Sequence, residues 1–400
     1  MKAILPAILI SIFSVQISSA QWVQVSSGLD NRDVTSLASG SNIIFAGTYN
    51  FGVYSSTNNG LNWTQTPLNN RYIFSLAVKG NTVFAGTFGN GIYLSTNNGA
   101  NWVQTSLNGL VIGSFTISDN SIFAGTGNSG VYQSTDNGTT WTQTSLTGLA
   151  VYSLASNGEN IFAGGYNTSP FGAYFSANNG STWNQTSLIN QNVYSLAVNG
   201  NNIFAGTQSP NSGVFYSSNN GANWTQTSLN NRTVISLVAD GFNIYAATGI
   251  NGVYVSNDNG ISWIQRIEGL ATAGDLSLLN NYLFAATSGS SGSVWRRPLS
   301  ELTGIQPISN EIADKFSLTQ NYPNPFNPVT QIGFGISVSG FVSLKVYTAL
   351  GREVQTLVNE KLSPGTYNVE FSGGDLPSGV YLYKIQSGNY SEVKKMFLLK

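Results

Sequence analysis

One eight-residue phrase occurs six times in this chain and constrains the fold more than any other feature. The phrase begins with serine, has Asn or Asp at its third position and Gly at its fifth, and ends with tryptophan. Counted from Trp22, successive tryptophans are separated by 41, 39, 39, 42, 41 and 39 residues. A period near 40 residues predicts a repeat architecture, in which a recurring residue usually has a structural role. The recurring third-position, glycine and tryptophan residues are Asn58, Gly60, Trp63, Asn97, Gly99, Trp102, Asp136, Gly138, Trp141, Asn178, Gly180, Trp183, Asn219, Gly221, Trp224, Asp258, Gly260 and Trp263.

Three further phrases recur between the tryptophans, and together they predict four short strands per period. They are Ser-Leu-Ala, Phe-Ala-Gly-Thr and Gly-Val-Tyr, each with close variants. The runs are β-branched or aromatic and are bounded by Asn and Gly, which is typical of strands and turns. Four strands in about 40 residues is the spacing of a propeller blade. Seven sets of phrases predict an all-β, seven-bladed β-propeller over residues 21–300.

The repeats are out of phase with the ends of this region. It begins on the Trp22 segment without the other strands of a blade, and it ends near Pro298 with a blade that lacks its Trp strand. The two pieces complement each other, so we expect strands from both ends to close the ring. Closure would cover sheet edges that otherwise promote aggregation.

The eight-residue phrase resembles the Asp-box, or bacterial neuraminidase repeat, of sialidases, sortilin-type receptors and photosystem II assembly-factor-like propellers. We expect the side-chain oxygen at its third position to accept N–H groups of its own turn, and the glycine to adopt positive φ. Asp stands only at 136 and 258, whereas the other copies have Asn, so the turn does not need the charge. A calcium site at either Asp-Asn-Gly segment is the alternative, although it would need more carboxylates.

Composition excludes several classes of function. Charged residues make up 8% of the chain and the formal net charge is -1, which gives no sign of a nucleic-acid partner. Histidine and cysteine are absent, which removes the commonest general base, the commonest transition-metal ligand and every disulfide. We therefore predict no metal and no cofactor.

The first 20 residues have the layout of a cleaved signal peptide. Lys2 precedes an apolar run from Ala3 to Val15, and small residues precede Gln21. The run is shorter than the roughly 20 residues of a membrane-spanning helix, so we predict cleavage after Ala20 and no transmembrane segment in the mature chain.

After Glu301 the repeats stop, and a different module follows. We assign residues 301–315 to a linker and residues 316–400 to a small Ig-like β-sandwich, because alternating runs are separated there by Gly and Pro-Gly turns. Asn321-Tyr-Pro-Asn-Pro-Phe-Asn-Pro328, Ser378-Gly-Val-Tyr381 and Lys395-Met-Phe-Leu-Leu-Lys400 closely resemble the type A C-terminal sorting domain of type IX secretion. That resemblance implies recognition by the secretion machinery and delivery to the outer-membrane surface or the medium. An adhesive Ig-like module is the alternative.

One repeat column differs in charge between blades, namely the position four residues before each Ser-Leu-Ala serine. In chain order it holds Arg32, Arg71, Leu110, Leu149, Gln191, Arg232 and Ala273. We expect this column to ring one mouth of the channel, where Arg32, Arg71 and Arg232 would form an arc that binds an anionic group. The alternative is that these arginines pair locally, for example with Asp30 and Asp33, or brace loops.

A sialidase-like glycoside hydrolase is the enzymatic alternative. Such enzymes use a Tyr nucleophile supported by Glu, and Tyr72 beside Arg71 is the nearest candidate. The propeller has only two glutamates, Glu159 and Glu268, and its arginines lie outside the sialidase Arg-Ile-Pro pattern. We therefore predict a non-catalytic binding propeller with an unknown protein or glycan partner. A structural surface or adhesion role remains open.

Overall fold

The computed structural model is almost entirely β. It describes residues 21–29, 32–118, 121–166, 171–208, 212–241, 243–288, 292–302, 305–309, 313–362, 364–374 and 376–400. The predicted signal peptide, 1–20, lies outside the described residues, as does Asp30. None of the described helices is long and apolar enough to cross a membrane.

Twenty-eight strands precede the single short helix of the described chain. They are β1 (Val23–Gln24), β2 (Val34–Ser39), β3 (Ile44–Thr48), β4 (Gly52–Ser56), β5 (Thr64–Gln65), β6 (Ile73–Lys79), β7 (Thr82–Thr87), β8 (Ile92–Ser95), β9 (Val103–Gln104), β10 (Ile112–Ser118), β11 (Ser121–Thr126), β12 (Val131–Ser134), β13 (Thr142–Gln143), β14 (Ala150–Asn157), β15 (Asn160–Tyr166), β16 (Gly172–Ser176), β17 (Asn184–Ile189), β18 (Asn192–Asn199), β19 (Asn202–Gln208), β20 (Gly213–Ser217), β21 (Thr225–Asn230), β22 (Ser236–Asp240), β23 (Asn243–Ala247), β24 (Val253–Ser256), β25 (Ile264–Arg266), β26 (Leu276–Leu279), β27 (Tyr282–Thr287) and β28 (Ser293–Pro298).

The helix and the last eight strands follow. They are α1 (Leu299–Leu302), β29 (Ile305–Ser309), β30 (Ser317–Leu318), β31 (Val329–Ile336), β32 (Gly340–Thr348), β33 (Glu353–Leu362), β34 (Gly365–Ser372), β35 (Gly379–Ser387) and β36 (Tyr390–Leu398).

Strands β1 to β28 form seven four-stranded antiparallel sheets within the described residues. Six sheets use consecutive strands, β2–β5 through β22–β25, and we number them blades 1 to 6. The seventh, blade 7, has the order β1-β28-β27-β26, so its outer strand comes from the other end of the region. The first strands contact one another in a closed cycle from β2 through β6, β10, β14, β18, β22 and β26 back to β2. The predicted propeller is confirmed, and so is its closure by strands from both ends.

The antiparallel order separates two faces of the ring. We call the top face the end that carries the turns between second and third strands, such as 49–51, and the connections between blades, such as 66–72. The bottom face carries the eight-residue phrases, such as 57–62. The repeated phrases and the connections between blades therefore lie at opposite ends of the same strands.

The second strand of each blade is the centre of the packing. In β3 all five residues are buried, and Phe45 has no exposed surface. Gly47 allows the next blade to approach, because a Cβ there would lie 2.5 Å from Cγ2 of Ile73. Phe45 and Gly47 face the same side of the strand, and Phe45 packs in one cluster with Ile73 of blade 2. The Phe-Ala-Gly phrase therefore meets two constraints within one inter-blade layer, a large side chain at one position and no side chain at the other.

The C-terminal module is a β-sandwich of two four-stranded sheets, with orders β29-β34-β31-β30 and β33-β32-β35-β36. Its buried core includes Phe334, Val346 and Tyr383. The predicted linker, 301–315, differs from the structure: β29 lies within it and pairs with β34 at the edge of the first sheet. Pro307 suits an edge strand, since proline lacks the N–H that an interior strand would donate.

Asp275 links three blades at the point where the ring closes. Its carboxylate accepts hydrogen bonds from the Leu37 backbone N–H of blade 1 (2.8 Å) and from the Ser236 hydroxyl of blade 6 (2.8 Å). Burial raises the pKa of this carboxyl, against the lowering effect of the bonds from Leu37 and Ser236. Leu276 pairs with Ala285 as Leu37 pairs with Ala46, so Asp275 stands where other blades have a serine such as Ser36 or Ser236. The carboxylate therefore replaces the serine hydroxyl that accepts the N–H of the next blade elsewhere in the ring, as Ser195 and Ser236 do.

We predict that Asp275→Ala lowers the free energy of unfolding by about 2 to 4 kcal/mol, because it leaves buried donors without an acceptor. The raised pKa means that the folded state binds the proton more tightly. The contribution of Asp275 to stability therefore falls as the pH rises from about 4 through the folded pKa. Asp275→Asn should lose less stability than the parent chain between pH 4 and pH 7. Thermal unfolding followed by tryptophan fluorescence at both pH values checks this, and equal pH slopes would contradict it.

Candidate functional site

The eight-residue phrase forms a self-contained turn on the bottom face. In the first copy, the Ser56 hydroxyl donates to Oδ1 of Asn58 (2.9 Å) and accepts from the Gly60 N–H (2.9 Å). Oδ1 of Asn58 also accepts from the Asn62 N–H (3.0 Å). Asn59 and Gly60 both have positive φ, 56° and 80°. The third-position side chain is therefore occupied by its own turn, and Asn-Gly is the residue pair that adopts this backbone most easily.

Three copies add a bond to the hydroxyl side chain four residues after the third position, and its direction depends on whether that position is Asn or Asp. The Asn178 amide donates to the Thr182 hydroxyl (2.9 Å), whereas the two aspartates accept. Oδ2 of Asp136 accepts from the Thr140 hydroxyl (2.6 Å), and Oδ2 of Asp258 accepts from the Ser262 hydroxyl (2.6 Å). Hydrogen bonds from Thr140, then Ser134, lower the pKa of Asp136 to about 2. Both carboxylates are thus used within their turns. Among the described residues, no cluster of three acidic side chains suits a metal ion.

The tryptophan that ends each phrase anchors its turn. The indole N–H of Trp63 donates to the Val25 carbonyl (2.8 Å) of blade 7, whereas those of Trp102, Trp141 and Trp183 donate to the glycine carbonyl of their own turn (each 3.0 Å). Trp224 and Trp263 donate to a threonine hydroxyl of the preceding blade (each 3.2 Å). These residues build and join the blades.

We predict that Asn97→Ala lowers the free energy of unfolding by about 1 kcal/mol, because the Ser95 hydroxyl and the Asn101 N–H lose their acceptor. Asn97→Asp is the matched control and should retain most of the stability, since Asp136 occupies the same position. Denaturant unfolding followed by tryptophan fluorescence measures both variants. Equal losses in the two would show that the acceptor oxygen is not what the turn requires.

The arginine column lies on the top face, where two of its members contact tyrosines of their own blades. Arg32 donates to the Tyr54 hydroxyl, and its guanidinium lies 4.6 Å from the Phe51 ring centroid. Arg71 donates to the Tyr93 hydroxyl (3.3 Å) and lies 5.8 Å from that ring centroid. Tyr54 and Tyr93 are on the third strands β4 and β8. The structure therefore shows local bracing of Arg32 and Arg71 on aromatic rings, by cation–π contact and hydrogen bonding.

Arg232, the third member, is exposed on the same face of blade 6. An anion held jointly by Arg32, Arg71 and Arg232 stays a prediction. The contacts of the first two support instead the alternative in which the arginines support loops.

Aromatic side chains gather on the same face, closer to the channel. Blades 1 to 5 each have a β-bulge near the start of the innermost strand, and the bulged residues are Thr35, Phe74, Gly113, Tyr152 and Tyr194. A bulge redirects its side chain away from the regular alternation of the strand. Three of the five redirected side chains are aromatic.

These rings join Tyr49, Phe88 and Tyr166, at the ends of second strands, and Tyr72, immediately before β6. We define the aromatic arc as Tyr49, Tyr72, Phe74, Phe88, Tyr152, Tyr166 and Tyr194. Each ring contacts the next one along the arc. The centroid separations between neighbours are 4.7 Å for Tyr49–Tyr72, 5.8 Å for Tyr72–Phe74, 5.5 Å for Phe74–Tyr152, 5.4 Å for Tyr152–Tyr166 and 5.1 Å for Tyr166–Tyr194. Phe88 stacks on Tyr72 at 5.3 Å. Tyr49 and Phe88 are 48% and 55% exposed, and the other five rings are partly buried.

The arc crosses blade 3 without a ring from that blade. Blade 3 has Gly113 where blades 2 and 4 have Phe74 and Tyr152, and a Cβ on Gly113 would lie 2.6 Å from the Tyr152 ring. The missing side chain lets Tyr152 lean over blade 3 and reach Phe74. The arc is therefore continuous because one repeat lacks a side chain.

Tyr72 lies within the arc, in an environment that disfavours ionisation. Burial raises its pKa, and Tyr49, Asp33 and Tyr152 add smaller effects in the same direction. Of the two propeller glutamates named above, Glu268 forms a salt bridge with Arg297 (2.7 Å) at the closure of the ring. The geometry places Tyr72 in contact with the rings of Tyr49, Phe74 and Phe88.

The sequence pattern predicts a site at the column four residues before the serine, which varies in charge, and does not predict the aromatic arc. The informative column is one residue before the serine, where Phe74, Tyr152 and Tyr194 stand in an otherwise alternating strand. In each case the aromatic residue directly follows a buried one, Ile73, Val151 or Val193. This sequence pattern is consistent with a β-bulge.

Comparisons with known proteins agree with the two-part architecture. Residues 320–399 match the secretion system C-terminal sorting domain, and residues 52–265 match the family of the outer membrane protein assembly factor BamB. No curated protein matches the chain.

Solved structures share the fold at low sequence identity. YCF48 from Cyanidioschyzon merolae is 13% identical over 70% of this chain and 99% of its own, with a TM-score of 0.55. YCF48 bound to D1 peptide is 13% identical over 71% and 96%, with a TM-score of 0.54. An ancestral GH74 enzyme is 17% identical over 94% and 64%, with a TM-score of 0.52. At these identities the likeness shows the propeller fold alone.

Proposed function

We propose that this chain, a member of the β-propeller family of the outer membrane protein assembly factor BamB, is exported and has a non-catalytic binding function. The C-terminal sorting domain directs the chain through type IX secretion to the outer-membrane surface or the medium. There the propeller binds a protein or glycan partner.

The observation that carries this proposal is the contrast between the two faces. On the bottom face, the same turn recurs with the same internal hydrogen bonds, as an architectural element would. On the top face, equivalent positions differ from blade to blade. Tyr49, Phe88 and Tyr166 occupy the end of the second strand in three blades, where Gly127 and Gly249 stand in two others. Exposed aromatic residues that depart from the repeat are typical of a recognition surface.

We predict that the purified mature chain binds to envelope fractions of the bacterium that produces it, through the top face. The double variant Tyr49→Ser, Phe88→Ser should lose most of this binding. The matched control is Leu61→Ser, Ile261→Ser, which removes two exposed apolar side chains from the bottom face. Co-sedimentation of labelled protein measures retention. Equal retention of both variants and the parent chain would contradict a top-face site, and no retention of the parent chain would favour a purely structural role.

The non-catalytic part of the proposal rests on the surroundings of Tyr72. Its raised pKa opposes formation of the phenolate that a tyrosine nucleophile needs.

We therefore expect no turnover of a fluorogenic sialoside or of a panel of aryl glycosides by the mature chain. Fluorescence assays at pH 5 to 8 check this. Turnover that disappears in Tyr72→Phe would overturn the proposal and support a sialidase-like hydrolase.

A further inference from the structure

We propose that the aromatic arc is the binding site for a neutral oligosaccharide chain, an inference that rests on the proposed binding function. The rings would stack on the apolar faces of successive sugar residues. The tyrosine hydroxyls would exchange hydrogen bonds with the sugar hydroxyls.

The length of the arc selects an extended ligand with several rings. Six rings follow one another at steps of 4.7 to 5.8 Å from blade 1 to blade 5. A single compact group would contact only two or three of them. A chain of linked sugar rings can follow the whole series. Because neighbouring rings lie at interplanar angles of 38° to 69°, it would meet ring edges as well as ring faces.

The chemistry of the arc selects a ligand that is neutral and both apolar and hydroxylated. Five of its seven members are tyrosines, which combine an apolar ring with a hydroxyl. Tyrosine hydroxyls are protonated near neutral pH and can both donate and accept. Burial raises the pKa of Tyr72, Tyr152 and Tyr194 further from neutrality. The ring-bound arginines of this face contact Phe51, Tyr54 and Tyr93, which lie outside the arc.

The backbone around the arc argues against an extended peptide. The N–H groups of Tyr49, Phe88 and Gly127 donate to the carbonyls of Asp33, Tyr72 and Val111 within the propeller, each at 3.0 Å. A peptide that joined a sheet edge would need such donors unpaired. Side-chain stacking is the interaction that the arc can offer, and sugar rings use it without backbone partners.

Affinity electrophoresis of the full mature chain in gels that contain a neutral soluble polysaccharide tests the proposal. The probes are β-glucan, xylan, galactomannan and dextran, with carboxymethyl cellulose as the anionic control. We expect retardation by at least one neutral polymer. Phe88→Ala and Tyr49→Ala should each weaken it by about tenfold or more, the size typical of an aromatic hot spot. Tyr152→Phe keeps the ring and should weaken binding less than Tyr152→Ala, while Leu61→Ala should bind as the parent chain does.

Treatment of the envelope fraction separates this inference from the proposed function. Periodate cleaves sugar diols, whereas protease removes proteins. Loss of top-face retention after periodate but not after protease supports the glycan. Loss after protease alone, with no retardation by any neutral polymer, overturns the glycan and leaves the binding function intact with a protein partner. Retardation that is unchanged in Phe88→Ala and Tyr49→Ala would overturn the arc as the site.

Discussion

Closure of the ring is the constraint on which the rest of this structure depends. It is made by pairing β1 with β28, where Val23 lies opposite Arg296 across more than half of the chain. Around this pair, the Trp22 indole N–H donates to the Arg266 carbonyl (2.9 Å), and the buried Arg297 pairs with Glu268. Without closure, blades 1 and 7 would each expose an apolar sheet face, and every top-face residue would lose its fixed position relative to those of distant blades.

Much of this architecture could be predicted from the sequence, because repetition exposes the residues that cannot change. The glycines of the repeated turn, the Phe-Ala-Gly-Thr phrases and the phase of the repeats each predict the correct local structure. Strand β29 lies within the predicted linker, and its pairing partner β34 lies some 60 residues further along the chain. A short segment with a proline carries little strand signal of its own, and only the open edge of the sandwich gives it a structure.

The site was harder to predict, because it depends on side-chain direction and not on residue type. Arg32 and Arg71 stood out by charge, yet their guanidinium groups turn towards Tyr54 and Tyr93 of the same blade. Phe74, three residues after Arg71, is turned out of the regular alternation of its strand by a β-bulge. One extra residue in a strand reverses which face a side chain occupies, so a column read in strict alternation assigns it to the wrong side.

The repeated residues of this chain build its framework, and the unrepeated residues make one face of the ring differ from blade to blade. The six turns keep their internal hydrogen bonds whether the acceptor is Asn or Asp. These bonds fix the strands at the bottom face, while the residues at the top-face ends of the same strands vary. Gly113 shows how small the variation needs to be: one absent side chain allows Tyr152 to reach Phe74 and makes separate rings into a continuous surface. A ring of near-identical blades thus acquires an asymmetric face, and asymmetry is what an extended ligand requires in order to bind in one orientation.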